Sequence, residues 1–317
     1  MPGWVPAYRR MLSDGQLAAR AAAPERTLER CAVCPCRCGV DRRYALGRCV
    51  TPAAPVIASH GAHFGEEPPI SGRRGSGTVF LANCNLRCVF CQNHDISQRP
   101  KEFVHGATTV GELAAIMLEL QDLGCHNINW VSPTHQVPAL VRALELAARH
   151  GLALPVVYNT NAYDAVEVLR LLDGVVDIYL PDLKYASEAA ARQHSRVRDY
   201  PAVARAALAE MYRQVGAGWD TDRDGVLRHG LLVRILVLPH DLAGVGESLR
   251  WIAAELSPAV AVSLMSQYRP AHLATRPGRY PPLARGVSPS EYSEALRALE
   301  RWNASQDTFA QPYLGRP

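Results

Sequence analysis

Lysine is nearly missing from this chain: of 34 basic residues only Lys101 and Lys184 are lysine, and the remainder are arginine. Where a plain positive charge suffices the chain uses arginine, so the two lysines are exceptions worth noting. Also missing is any apolar run of the roughly 18 residues that a membrane-spanning helix needs. Met1 to Leu12 holds no continuous apolar segment of the signal-peptide type. These absences predict a cytoplasmic protein without a membrane partner. Neither charge sign dominates: the 34 basic and 30 acidic residues are interspersed and leave a net +4, which predicts no nucleic-acid partner. Internal repeats, low-complexity tracts, Walker-type loops, nucleophile elbows and serine triads are absent.

What is present is a globular composition, 48% hydrophobic and 20% charged over 317 residues with a mean hydropathy of −0.09. The length suits either two domains or one α/β barrel. From about Gly77 onward, β-rich runs alternate with helix-period segments, the pattern of a parallel sheet with crossover helices. Strands are predicted at Thr78–Ala82, Asn127–Val131, Leu154–Tyr158, Val175–Leu180, Leu231–Leu238 and Val260–Met265. Helices are predicted from a Thr109/Glu112 capping box to about Leu123, from Val137 to the Gly151 stop, and over Ala162–Leu172, Pro201–Val215, Gly246–Leu256 and Ser290–Asn303. Six strands fall short of a full eight-strand barrel. Residues 1–76 do not follow this rhythm and read as a cysteine-rich N-terminal extension on a domain spanning 77–317.

In parallel α/β barrels the chemistry lies where strands end and βα loops begin. Every predicted strand here ends in polar residues. They are Asn83 with Cys84, Cys88 and Cys91; Ser132, Thr134 and His135; Asn159, Thr160 and Asn161; Asp182 and Lys184; His240 and Asp241; and Ser266, Gln267 and Tyr268. This concentration predicts a polar, charged ligand in the mouth, with His135, His240 and Tyr268 as candidates for substrate contact or for structural roles. Cys125, His150 and His229 read as structural side chains.

Nine cysteines without a secretory signal suit metal or redox chemistry better than a disulfide framework. Cys84-Asn-Leu-Arg-Cys88-Val-Phe-Cys91 places three thiolates within eight residues. A structural zinc site needs four closed ligands, whereas three on a short loop suit an iron–sulfur cluster with one iron free. His94 is positioned to close the site instead. The spacing, the aromatic Phe90 before the last cysteine, and the place of the loop directly after the first strand resemble the radical S-adenosylmethionine enzymes. That resemblance implies a partial (β/α)6 TIM-type barrel and a 4Fe-4S cluster held by Cys84, Cys88 and Cys91. The cofactor's methionyl group would chelate the fourth iron, and reductive cleavage would release a 5′-deoxyadenosyl radical for hydrogen abstraction. A low-potential electron donor of flavodoxin or ferredoxin type is implied, with a small-molecule or protein substrate.

The run from Gly65-Glu-Glu-Pro-Pro-Ile-Ser-Gly72 through Gly75-Ser-Gly77 to Cys91-Gln-Asn-His-Asp-Ile-Ser-Gln98 is similar to the homologues of pyruvate formate-lyase activating enzyme. Asp182-Leu-Lys184 matches that pattern's cofactor-contacting motif, and a lysine there suits a point charge facing a carboxylate, the alternative being an exposed lysine. Phe90, Ser132, Thr160, Asn161, Asp182 and Lys184 are the cofactor-binding residues so implied. Two departures stand out. The usual Gly-Gly-Glu segment is Val131-Ser-Pro-Thr-His135 here, and an expected Asp is Asn159, which shifts more of the load onto Asp182.

Cys31-Ala-Val-Cys34-Pro-Cys36-Arg-Cys38, followed by Cys49, offers a second site. Cys31, Cys34, Cys38 and Cys49 could hold zinc or another iron–sulfur cluster, with Cys36 a spare thiol or an alternative ligand. Activating enzymes with auxiliary clusters carry a ferredoxin-like insertion after the three-cysteine loop, which this chain lacks. Activation of a glycyl-radical partner is therefore the alternative enzymatic reading, and a non-catalytic zinc-ribbon binding module is the alternative from another class.

Overall fold

The computed structural model describes residues 4–99, 106–305 and 307–313, so Lys101 lies outside the described residues. Its centre is a mostly parallel sheet of β1 (Ile57–His63), β2 (Ser76–Leu81), β3 (Ile128–Val131), β4 (Val156–Thr160), β5 (Ile178–Pro181), β6 (Asp220–Thr221), β7 (Leu227–Leu236), β8 (Ala261–Met265) and β9 (Phe309–Ala310). The strand order is β1-β2-β3-β4-β5-β7-β8-β9, with β6 a short antiparallel partner of β7. Strands β2, β3, β4, β5, β7 and β8 follow one another as parallel neighbours in chain order, so each crossover returns beside the strand it left. All six predicted strands are present, with ends displaced by a few residues.

Local chemistry explains the crossovers. Thr109 Oγ1 accepts from the Glu112 N–H at 3.1 Å while Glu112 accepts from the Thr109 N–H at 2.7 Å, closing the predicted capping box at the head of the helix Val110–Asp122. The next helix, Val137–Arg149, buries Val137, Leu140, Val141 and Leu144 on one face, with Pro138 in its first turn where no N–H is needed. The predicted helix Ala162–Leu172 is shorter, Val166–Leu171. Ala162 is left-handed at φ 62°, and the Tyr163 N–H bonds to Asn161 Oδ1 at 2.9 Å, so those residues form a turn. The helix Glu188–Ser195 was not expected.

Sheet and helices enclose a core containing Trp130, Tyr158 and Tyr179, the two tyrosine rings edge to face at 5.9 Å. The N-terminal residues join this body. Strand β1 pairs antiparallel with β2 and covers that edge of the sheet. Ala7 N–H donates to Asp177 Oδ1 at 2.9 Å and Tyr8 OH to the Leu154 carbonyl at 2.8 Å. Buried Arg42 pins the cysteine-rich loop to the end of β3, donating to the carbonyls of Thr51 at 3.0 Å, and of His135 and Pro52 at 2.6 Å each.

Candidate active site

The parallel strands deliver their C-terminal ends to one cavity of about 370 Å³. Phe80 and Leu81 from β2, Val131 at the end of β3 and Ser132 after it, Asn159, Thr160 and Asn161 at β4, Asp182 and Lys184 after β5, Arg234 and Leu236 of β7, and Met265 and Gln267 at β8 all line it. Several chain reversals at this rim use left-handed residues that are not glycine: Asn83 (φ 68°), Ser132 (φ 58°) and Ala162 (φ 62°). Such conformations cost energy and gather at functional rims.

Cys84, Cys88 and Cys91 all line this cavity, and Cys84 and Cys88 are buried. Each sulfur has its own polar neighbour from a different element. Asn161 Nδ2 donates to Cys84 Sγ at 3.4 Å, Ser195 Oγ donates to Cys88 Sγ at 3.0 Å, and Ser97 Oγ lies 3.2 Å from Cys91 Sγ. The loop is itself held, Val89 N–H donating to the His194 carbonyl at 2.8 Å and Asn83 N–H to the Ile96 carbonyl at 2.8 Å. Burial pushes the Cys84 thiol up to about 12, with the charges of Cys88 and Cys91 adding to it, and raises Cys88 as well. Lys184 opposes both rises, so the sole described lysine faces the thiols. Phe90 packs edge to face against Tyr185 at 6.4 Å and Tyr268 at 5.8 Å.

A second group crosses the cavity wall. Asp182 Oδ2 accepts from Lys184 Nζ at 2.8 Å and Asp182 Oδ1 from Arg234 Nε at 2.7 Å. The same guanidinium reaches Glu66 Oε2 at 2.9 Å and Asn159 Oδ1 at 2.5 Å, and Asn159 Nδ2 returns to Glu66 Oε1 at 3.0 Å. Burial disfavours the Asp182 carboxylate, but Arg234 and Lys184 together outweigh it and hold that carboxyl below its usual range. For Glu66 burial wins over Arg234 and the carboxyl is raised. Glu66 and Arg234 were not among the predicted site residues. Arg234 had a sequence signal, a lone charge within the apolar run Leu231–Leu238, whereas Glu66 lay in the Gly65–Gly72 run, which carried part of the resemblance but gave no residue of its own a role.

Four candidates belong elsewhere. His94 stacks on His272 with ring centroids 4.9 Å apart and is not in the cavity lining, so it does not face the three thiols as a fourth ligand. His135 is buried behind the rim, its Nε2 3.0 Å from the Ala82 carbonyl. His240 lines a separate pocket with Glu291 and Glu294, because a left-handed turn (φ 58°) directs the chain away. Tyr268 spends its hydroxyl on the Leu283 carbonyl at 2.8 Å. None of these three side chains lines the cavity that holds the three thiols. Cys125 is buried, as expected.

In the N-terminal segment Cys31, Cys34 and Cys49 are buried and Cys36 and Cys38 partly exposed. Burial raises the Cys31 thiol, and nearby Cys38 and Cys49 raise it further. Cys34 and Cys36 share a hydrogen bond that lowers Cys36 to about 7 and raises Cys34. Cys36 Sγ also lies 3.7 Å from the Asn85 carbonyl, beside the first residue of the three-cysteine loop. Among the described residues no three His, Cys, Asp or Glu side chains converge on a point suited to a single metal ion. A cluster spreads its thiolates over separate irons, so it does not need such convergence.

Residues 78–221 match the model of the radical SAM superfamily. A Methanocaldococcus jannaschii protein described as uncharacterized is 30% identical over 285 residues, covering 86% of this chain and 75% of the relative. The chain belongs to the radical SAM superfamily. Membership makes it an enzyme and implies a 4Fe-4S cluster, S-adenosylmethionine and a reductant. For a radical SAM chain the cavity is chemically suitable. Three thiols face it, hydrogen-bond partners are ready for each, and the buried Gln267 Oε1 in its wall has no partner of its own. No helix among the described residues is long and apolar enough to cross a membrane.

Proposed function

We propose that this chain is a hydrogen-abstracting radical enzyme in which Cys84, Cys88 and Cys91 hold the cluster, in a partial (β/α)6 barrel spanning 77–317. One observation carries the reading: the three thiols and the Asp182–Lys184 pair line the same cavity. When bound, cluster and cofactor supply one-electron cleavage of a sulfonium to a 5′-deoxyadenosyl radical. The chain's residues do the rest. Asn161, Ser195 and Ser97 give each sulfur a hydrogen bond, which stabilises negative charge on it. Lys184 presents an ammonium suited to a carboxylate, and Asp182, fixed by Arg234, keeps that ammonium in place. Ser132, Thr160 and Phe90 shape the remaining wall, and six strand ends surround the floor of a cavity that still opens to solvent, so bound cofactor and substrate would themselves have to complete the shelter of a radical that attacks nearby C–H bonds.

Residues 1–76 are proposed as the cysteine-rich extension, with Cys31, Cys34, Cys38 and Cys49 holding a second iron–sulfur cluster; zinc on the same four would require the thiols to draw closer together than they stand here. The closeness of Cys38 and Cys49 to Cys31, whose thiol both raise, supports this grouping. The test is anaerobic reconstitution, then dithionite plus S-adenosylmethionine with chromatographic detection of 5′-deoxyadenosine. Wild type should form it and the Cys84/Cys88/Cys91→Ala triple variant should not. Product formation undiminished in the triple variant refutes the assignment.

A further inference from the structure

The residues after Ser195 and around Arg48 carry several arginines, with one exposed carboxylate, Asp199, among them. Arg196, exposed and left-handed at φ 59°, follows directly on Ser195, the residue whose hydroxyl donates to Cys88 Sγ at 3.0 Å. Arg48, exposed, lays its guanidinium on the Arg196 carbonyl at 2.6 Å, while its own N–H donates to Cys38 Sγ at 3.2 Å. Arg87 in turn donates to the Arg48 carbonyl at 2.9 Å. These three arginines therefore sit between the two cysteine groups and join them. Exposed Arg192 and Arg198 flank Arg196 in sequence. Among the described residues none of these five arginines has an ion-pair partner, although eleven other arginines do.

Next to this charge stands apolar surface, with the Arg43 guanidinium 5.6 Å from the centre of the Tyr44 ring and paired with Asp41. Tyr44 is 86% and Leu46 44% exposed, on the loop between Cys38 and Cys49, four and two residues before Arg48. Fixed, unpaired cations beside an exposed aromatic ring form a surface for an acidic partner with a flat apolar feature of its own.

We propose that the Arg48–Arg87–Arg196 face, with Tyr44 and Leu46, docks an acidic flavodoxin-type protein that delivers the electron by way of the Ser195–Cys88 contact. The proposal rests on the function given above. The occupant is chosen on two grounds: charge complementarity to the arginines, and the apolar dimethylbenzene edge of an exposed flavin, which matches Tyr44 and Leu46. The redox step balances simply. Anionic flavin hydroquinone loses one electron and becomes the neutral semiquinone, no proton moves, and the cluster at Cys88 gains that electron.

The test uses the reconstituted full chain, a recombinant flavodoxin reduced to its hydroquinone, and dithionite as a donor that needs no docking surface. Binding of oxidised flavodoxin is read separately by titration calorimetry. For Arg48→Glu/Arg196→Glu the expected results are at least tenfold weaker flavodoxin binding and at least tenfold slower flavodoxin-driven 5′-deoxyadenosine formation. The dithionite-driven rate should stay within twofold of wild type. Wild-type binding should weaken steeply between low and physiological salt, since exposed charges are screened over about 10 Å at 0.1 M. If that variant loses structure, Arg192→Glu/Arg198→Glu, whose side chains hold no carbonyl, serves in its place with the same expectation. Unchanged flavodoxin binding in the charge-reversed protein overturns the docking surface. So does tighter binding of a ferredoxin than of flavodoxin. Failure of wild type to form 5′-deoxyadenosine with dithionite instead refutes the underlying function, so the two failures are distinguishable.

Discussion

Arg234 Nε lies 2.7 Å from Asp182 Oδ1, and through that one guanidinium a strand at the middle of the sheet is tied to the loop after its neighbour. The same group satisfies Glu66 and Asn159 while 13% exposed. Removing it leaves several carboxylates in a cavity wall with only Lys184 to oppose them. Arg234→Met should therefore destabilise the fold by about 3–5 kcal/mol, the usual result of stranding a buried charge. Arg234→Lys should recover only part of this, because an ammonium cannot reproduce the planar fork that serves several acceptors. Denaturant midpoints of the three proteins measure both effects.

Hydrogen bonds to the cysteine sulfurs should set how readily the proposed cluster accepts an electron. Ser195→Ala removes the 3.0 Å donor at Cys88, and Asn161→Ala the 3.4 Å donor at Cys84. Each should lower the reduction potential, since an acquired negative charge is then less stabilised. Redox titration followed by electron paramagnetic resonance reads the shift, with iron and sulfide content expected to stay near wild type. A potential unmoved in both variants would count against these residues as tuning partners.

His135 gives a prediction in pH. Burial lowers its folded-state pKa to about 3, against an ordinary value near 6.5. Its Nε2 faces a carbonyl, which only accepts, so that nitrogen carries the hydrogen. Between these values the unfolded chain binds a proton that the folded chain does not, so this group's stabilisation is whole above about pH 6.5 and drains away as pH falls toward 3. His135→Gln keeps a donor for the Ala82 carbonyl but cannot titrate. Its stability should fall less steeply than that of wild type between pH 6.5 and 4.5 in urea titrations.

The N-terminal thiols should behave independently of the cavity. A Cys31→Ala/Cys34→Ala variant should lose the metal of the second site, while Cys84, Cys88 and Cys91 still take up iron and sulfide on reconstitution. Elemental analysis of the purified variant is the measurement. Equal zinc and iron content in variant and wild type would remove the second site.

Much of this was legible where the determinants are local. The Thr109/Glu112 box spans three residues and closed as expected. The apolar face of Val137–Arg149 and the cysteine spacing are likewise short-range patterns. Strand β1 was illegible for a physical reason: Ser59, His60 and Gly61 belong to an antiparallel edge exposed to water, so no apolar alternation marks it. The histidines show the other limit. His135 and His240 both follow strands, yet one turns inward behind the rim and the other away from it, a choice made by backbone handedness at Ser132 and His240. Glu66 could be recognised only with its partner Arg234, which lies 168 positions later.

That last separation bears on how the molecule is made. Ala7 meets Asp177 across 170 positions, and Tyr8 meets Leu154 across 146. A ribosome emitting these residues in order has released nearly half of them before that first helix can bond to Ala148 and Leu154, and more than half before it meets Asp177. Glu66 must wait longer still, until Arg234 emerges. The thiols on the first half are thus in solution well before their pocket is finished, and loading of iron during synthesis would precede the walls that later shelter it.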